Sequence, residues 1–270
     1  MSNYGQTIDN HRAMPIQFHV HEGVAVVTID RPEKLNALDA EHYAALSETW
    51  TRIRDDRAVR VAIVTGAGGR AFSTGADLKK QIPNPGELGD AWLTQKDMLL
   101  NRGLEVWKPV IAAVDGYCIA GGLTLLLATD VRFATPASTF GLSEVTRGII
   151  AANGGTQRFT AQLPHAIAMR FLLTGETMDA ETALRWGLVN EIVPADQLMD
   201  AAMACARRIA QNAPLAVQAS KELAIRSRGM DLTTGLRMEQ VMARLLKDSE
   251  DAAEGTQAFA AKRAPVFKGR

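Results

Sequence analysis

The hydrophobic pattern changes character along the 270-residue chain. Two β-rich runs, Ile16 to His21 and Val24 to Ile29, are split only by Glu22-Gly23, which predicts a hairpin. Asp39 then stands where a helix N-cap is expected. Tyr43, Leu46, Trp50 and Ile53 follow at helical spacing, predicting an amphipathic helix from Ala40 to about Arg54. Val59 to Thr65 reads as a buried strand. Gln81 to Gly89, with two prolines and two glycines, reads as an exposed loop before a helix from about Ala91 to Trp107. Pro109 to Val114 is another apolar strand, ended by Asp115-Gly116. Gly121-Gly122 opens a short apolar helix reaching Ala128, and Val131 to Ala134 is a strand again. From Gly154 onward helices dominate, with Leu198, Ala202, Cys205 and Ile209 marking one face.

Strands alternating with helices, followed by a run of helices, predict an α/β core with a helical C-terminal part. The expected organisation is a loose polar arm over residues 1–14, a core over 15–195 and a helical region over 196–270. Hydrophobic residues make up 47% and charged residues 22%, ordinary values for a globular protein. The formal net charge is zero, which argues against a broad surface for nucleic acid or an anionic membrane. No apolar run reaches membrane-span length, and residues 1–15 lack the apolar centre of a signal peptide. The expected location is therefore cytoplasmic. Cys118 and Cys205 lie far apart in apolar sequence and read as reduced thiols.

Some apparent motifs lead nowhere. Val61 to Ala71, VAIVTGAGGRA, imitates a dinucleotide-binding turn. Phe72 to Asp77 continues it as loop instead of helix. No tyrosine has a lysine four residues on, so the pair of a short-chain dehydrogenase is absent. Gly141-Leu142-Ser143-Glu144-Val145 lacks the final glycine of a nucleophile elbow. His19 and His21 share one strand face, but nothing nearby completes a metal site, and both read as surface residues.

Three segments carry more. Arg70 to Lys80, RAFSTGADLKK, is a small-residue loop able to present a backbone N–H: Gly75 permits unusual torsions and Ala76 leaves its amide open. Lys108 to Asp130 takes a strand through glycines into a helix, whose first N–H groups lack partners and suit an anionic oxygen. Tight packing would also require Gly121-Gly122. Glu144 lies in a mostly apolar stretch, where burial would raise its pKa toward neutrality, although a solvated or capping glutamate fits the local sequence equally.

Taken in order, these segments resemble the crotonase superfamily, the enoyl-coenzyme A hydratase/isomerase family, from about Ile16 to Arg270. The matching stretches are Arg31 to Leu38, Gly75 to Leu78, Lys108 to Val114 with Gly116 and Gly121-Gly122, Gly154 to Arg158, and Phe259 to Arg263. The resemblance implies a spiral of ββα units forming two roughly perpendicular sheets, followed by helices that join three copies into a trimer or six into a hexamer. It implies an acyl-coenzyme A substrate, with coenzyme A entering only as part of that substrate and no permanently bound cofactor or metal. Coenzyme A would lie along Lys34, Leu35 and Ala37 and along Ala71, Ser73, Ala76, Asp77 and Leu78, with Phe259 to Lys268 reaching a neighbouring subunit's ligand. The thioester carbonyl would sit between the amides of Ala76 and Gly121. The acyl pocket is expected in Gln81 to Trp107, including Trp92, Leu93 and Met98.

One departure matters. Hydratases of the family carry two glutamates; one matches Glu144, but Thr124 occupies the position of the other. A single glutamate at that place is the pattern of Δ3,Δ2-enoyl-coenzyme A isomerases, which puts isomerisation slightly ahead of hydration as the expectation. In a hydratase, Thr124 would hold a water in place of the missing carboxylate. Ala151, where many hydratases have proline, is a further departure. The non-enzyme alternative is a crotonase-fold binding protein, for instance for RNA, whose Lys/Arg-rich stripe the neutral balance does not supply.

Overall fold

The computed structural model describes residues 15–81 and 98–270. The expected N-terminal arm, most of the loop from Gln81 to Gly89, and the start of the helix from Ala91, with Trp92 and Leu93, lie outside them.

The first two strands, β1 (Ile16–His21) and β2 (Val24–Ile29), form the expected antiparallel hairpin. Its two turn residues, Glu22 and Gly23, both take positive φ, the torsions a twisted two-residue hairpin requires. β3 (Val61–Gly66), β5 (Val110–Val114), β7 (Val131–Ala134) and β10 (Glu191–Ile192) extend this pair in parallel, giving a six-stranded sheet ordered β1-β2-β3-β5-β7-β10. A second sheet has the order β4-β6-β8-β9, from β4 (Ala71–Ser73), β6 (Tyr117–Ile119), β8 (Thr139–Gly141) and β9 (Thr177–Asp179). The chain repeatedly passes from a strand of the large sheet to one of the small sheet: β3 to β4, β5 to β6, β7 to β8. A helix or helical turn follows each pair, so the expected ββα spiral is present.

Helix α1 (Ala40–Asp55) begins where the pattern placed it. The Asp39 side chain accepts from the His42 N–H, and His42, Leu46, Trp50 and Ile53 form the buried face. Short helices α2 (Leu78–Gln81) and α3 (Gly121–Leu126) follow the second and third strand pairs. Next come α4 (Gly155–Gln162), α5 (His165–Thr174) and α6 (Ala180–Arg185). Helix α7 (Leu198–Ala210) covers the large sheet, burying Leu198, Ala202, Ala206 and Ala210 against Ile63, Ile111 and Phe133. By contrast, α8 (Pro214–Arg226) and α9 (Leu232–Lys247) bury no residue within the described chain. Helix α10 (Glu250–Ala260) precedes a tail whose Lys268 and Gly269 amides donate to Asp251.

The predicted helix ending at Trp107 is corrected. Residues 98–107 form a turn and an extended run. Gly103 adopts φ +94, and the amides of Arg102 and Leu104 both close onto the Leu99 carbonyl, which stops any helix there. Among the described residues, no helix is long and apolar enough to cross a membrane.

Candidate active site

The three strands β4, β6 and β8 run parallel side by side, with Ser73 paired to Cys118 and Ile119 to Gly141. Their carboxyl ends therefore open at one edge of the small sheet, the edge at which α/β proteins characteristically bind ligands. β4 leads into Thr74-Gly75-Ala76, β6 into Ala120-Gly121, and β8 into a 3-10 turn, Glu144–Arg147. All three segments singled out in the sequence meet here.

The first two bends touch. Gly75 has φ +82, and a Cβ on it would stand 2.5 Å from the Gly121 nitrogen. A Cβ on Gly121 would stand 3.1 Å from the Gly75 Cα and 3.5 Å from the Ala76 nitrogen. The Ala76 and Gly121 amides are thus separated by no more than about 6 Å, the span over which two N–H groups can share one oxygen. Neither donates to a carbonyl of the described residues. Ala120 holds φ 50 and ψ −120, an unfavourable conformation for a residue with a Cβ, costing on the order of 1–3 kcal/mol. Its N–H donates to the Gly141 carbonyl at 2.8 Å, tying the bend to β8.

Lys34 is exposed, whereas Leu35, Ala37, Ala76, Asp77 and Leu78 are half-buried. They form one surface, because Leu38 and Ala76 make a parallel bridge: the Leu38 N–H donates to the Gly75 carbonyl at 2.7 Å and the Asp77 N–H to the Leu38 carbonyl at 2.8 Å. Side chains reinforce the junction. Arg31 donates to the Ala37 carbonyl and lies 3.1 Å from Asp77, and Asp39 pairs with Lys80 at 2.6 Å and with His42 at 2.6 Å. Burial pushes the Asp39 carboxyl up, but the hydrogen bonds from Lys80 and His42 outweigh it and hold the group well below the usual carboxylate range. Ala71 and Ser73 are enclosed, and the Ser73 hydroxyl is engaged inside the protein.

Glu144 is 9% exposed, and its Oε2 has no hydrogen-bond partner. Burial raises its pKa; its own backbone amide and the charge of Arg147 offset this in part. A carboxyl group in that state exchanges protons nearer neutrality than a surface glutamate. Thr124 is also buried, on α3, and its Oγ1 lies 2.8 Å from where a Cβ on Gly155 would stand. The room for Thr124 is thus made by the glycine that opens α4, beside Ala151. Phe259, 88% exposed, and Lys268, also exposed, lie on the C-terminal segment. Met98 is exposed at the boundary of the expected acyl pocket. No group of three or more His, Cys, Asp or Glu able to hold a metal ion occurs among the described residues.

Sequence reasoning missed what holds the bends. Asn36 is fully buried, with φ 55; its amide donates to the Ala67 and Ala71 carbonyls and its oxygen accepts from the Arg31 N–H. An asparagine flanked by Leu35 and Ala37 was the available signal, since asparagine tolerates the left-handed region better than most residues.

Known proteins share this arrangement of sequence and fold. The enoyl-CoA hydratase/isomerase family model matches residues 19–270. The chain is 43% identical to (E)-benzylidenesuccinyl-CoA hydratase of Thauera aromatica, over 95% of this chain and 100% of that one. It is 42% identical to carnitinyl-CoA dehydratase of Citrobacter koseri, over 94% and 98% of the two chains. The crystal structure of an enoyl-CoA hydratase from Mycobacterium marinum superposes with a TM-score of 0.86 at 37% identity, covering 95% of this chain and 100% of that one. One from Bacillus anthracis superposes with a TM-score of 0.87 at 33% identity, with the same coverage. With a matched family model spanning nearly the whole chain, and relatives and structures aligned end to end, the chain belongs to the enoyl-CoA hydratase/isomerase family of acyl-coenzyme A enzymes.

Proposed function

We propose that the chain adds water to, or removes it from, the acyl group of a coenzyme A thioester, with Glu144 carrying the proton. The carbonyl oxygen of the thioester sits between the N–H groups of Ala76 and Gly121. During hydration the water oxygen bonds to C3 of a 2-enoyl group, and the proton it sheds passes by way of Glu144 to C2. Negative charge builds on the thioester oxygen between these steps, and the two fixed donors stabilise it more than they stabilise the neutral carbonyl. The observation that carries the reading is the buried, unpartnered Oε2 of Glu144 at the end of β8, next in the sheet to the strand that delivers Gly121. The hydro-lyase direction is supported by relatives named as a hydratase and a dehydratase at 43% and 42% identity.

Coenzyme A lies along Lys34, Leu35 and Ala37 and along Ala76, Asp77 and Leu78, where loops 31–39 and 75–80 form a continuous surface; Ala71 and Ser73, expected beside it, are enclosed and lie beneath that surface. Phe259 and Lys268 serve a neighbouring copy's ligand. Three chains, or two such trimers, assemble through α8 and α9, none of whose residues is buried among the described residues of a single chain.

A second reading is favoured by one residue. Thr124 supplies no carboxylate, and a lone glutamate suffices to carry a proton from C2 to C4 of a 3-enoyl group. Offering 2-enoyl and 3-enoyl thioesters to the same preparation separates the two. Hydration of the 2-enoyl substrate, abolished in Glu144→Gln, is the expected result. Double-bond migration without water addition would replace the hydro-lyase reading with the isomerase one.

A further inference from the structure

We infer that Ser73 is a positioning residue: its hydroxyl holds the bend that aims the Ala76 N–H, and its main chain seats the bend that carries Gly121. The inference rests on the two-amide acyl-coenzyme A reading above and assigns Ser73 a role in it other than ligand contact.

Gly75 is the freest residue of the first bend, and the peptide plane that joins it to Ala76 contains the donor N–H. Two hydrogen bonds remove that freedom. The Gly75 N–H donates to Ser73 Oγ at 3.1 Å, and the Gly75 carbonyl accepts from Leu38 N–H at 2.7 Å. Because the peptide is planar and trans, fixing the Gly75 carbonyl points the Ala76 N–H the opposite way. The Ser73 hydroxyl fixes the amide on the other side of the same Cα. It does so as a relay, since Ser73 Oγ in turn donates to the Asn36 carbonyl at 2.8 Å. Only a group that both donates and accepts can fill this place, and Ser73 is wholly enclosed, away from bulk solvent.

Ser73 also lies under the second bend. A Cβ on Gly122 would stand 2.1 Å from the Ser73 carbonyl oxygen and 3.0 Å from the Ser73 Cβ. The start of α3, with Gly121 as its first residue, therefore rests directly on Ser73. One buried residue thus links, by its side chain, the loop over residues 31–38 to the Ala76 donor and, by its main chain, the seat of the Gly121 donor. A displacement of about 1 Å in such a constellation can cost about a hundredfold in rate.

The test uses the full-length protein with a cinnamoyl thioester of coenzyme A, whose absorption moves to the red when its carbonyl oxygen is polarised. Ser73→Ala is expected to bind this probe with a smaller red shift than the wild type and to turn over substrate at least about tenfold more slowly, with KM changed by less than about twofold. Ser73→Cys keeps a similar shape with a weak donor and acceptor; it is read in the same way and answers the question should the alanine variant not fold. A full red shift with turnover within about twofold of the wild type, or a loss confined to KM, would overturn the inference. A wild-type enzyme that binds the probe with no red shift would instead defeat the two-amide reading itself, so the two failures are distinguishable.

Discussion

A Cβ on Gly121 would stand 3.5 Å from the Ala76 nitrogen, in van der Waals contact with it, so the smallest possible side chain at one bend already reaches the amide of the other. The same Cβ would meet the Gly75 Cα at 3.1 Å, close enough that the bends must part slightly. Gly121→Ala is therefore expected to fold and to lose about 100- to 1000-fold in kcat/KM, the scale of losing one oxyanion donor. Gly75→Ala should do worse, because its Cβ meets the Gly121 nitrogen at 2.5 Å and its φ of +82 strains any side chain. Steady-state kinetics beside a thermal melt check both; a Gly121→Ala enzyme within tenfold of the wild type would show that the two amides do not share an oxygen.

With Glu144 as the proposed proton carrier, activity is expected to depend on pH in a direction that its environment sets. Burial raises its pKa above the ordinary 4.5. If the ionised form accepts the proton, the acid limb of the kcat/KM profile falls above that ordinary value, and Glu144→Gln removes the limb along with most of the turnover. Stability should show the converse. A carboxyl whose folded pKa is raised favours the folded state fully below its unfolded pKa, and that contribution is lost as pH rises through the folded pKa. Above this window the buried charge is a cost, so Glu144→Gln should melt higher than the wild type at neutral pH and no higher near pH 3. Each kcal/mol relieved raises Tm by about 2–4 °C in a domain of roughly this size. Paired melts across pH, with isothermal titration of coenzyme A to verify unchanged binding, test both claims.

The large sheet and α1 were legible because their patterns are long. Trp50 and Ile53 repeat at helical spacing, and β3 and β5 are apolar along nearly their whole length. Gly75, Gly121 and Glu144 stood out in the sequence as candidates, from glycines at bends and an acid in apolar sequence. The small sheet was not, because β4, β6 and β8 have three residues each, too few for a period-2 pattern to stand out. That sheet is what makes three distant segments open at one edge, so convergence came from the resemblance and not from any local pattern. Ser73 shows the same limit: a small polar residue near a ligand loop looks like a ligand contact until its enclosure and its bonds to Gly75 and Asn36 are seen.

Thr124 is the place to separate water chemistry from proton relocation. The side chain is buried against the Gly155 position, so Thr124→Val changes the hydroxyl to a methyl with almost no change of shape. If the hydroxyl holds the attacking water, hydration of a 2-enoyl thioester should fall about tenfold or more, in line with losing a positioned hydrogen bond of about 1–2 kcal/mol. Any migration of a 3-enoyl double bond, which needs no water, should change by less than about twofold. Equal loss of both activities would assign Thr124 a packing role, and a near-normal hydration rate would place the water elsewhere.

The last expectation concerns α9. Leu232, Leu236, Val241 and Leu245 are 76%, 45%, 48% and 70% exposed, and Met238, Val241, Met242 and Leu245 line an open groove on this helix. A single chain gains nothing from keeping such residues in water, whereas an interface between copies removes them from it at about 25 cal/mol per Å² of apolar surface. Leu245→Glu places a charge on that surface without touching the sheets or the candidate site. It should lower the assembled mass measured by light scattering while leaving the helical circular dichroism of the chain intact. If Phe259 and Lys268 serve a neighbour's ligand, dissociation also raises KM for the acyl-coenzyme A substrate, and dilution of the wild type reproduces the effect. A variant that stays assembled, or a wild type that is monomeric at all concentrations, would remove α9 from the interface and return the C-terminal segment to a role within its own chain.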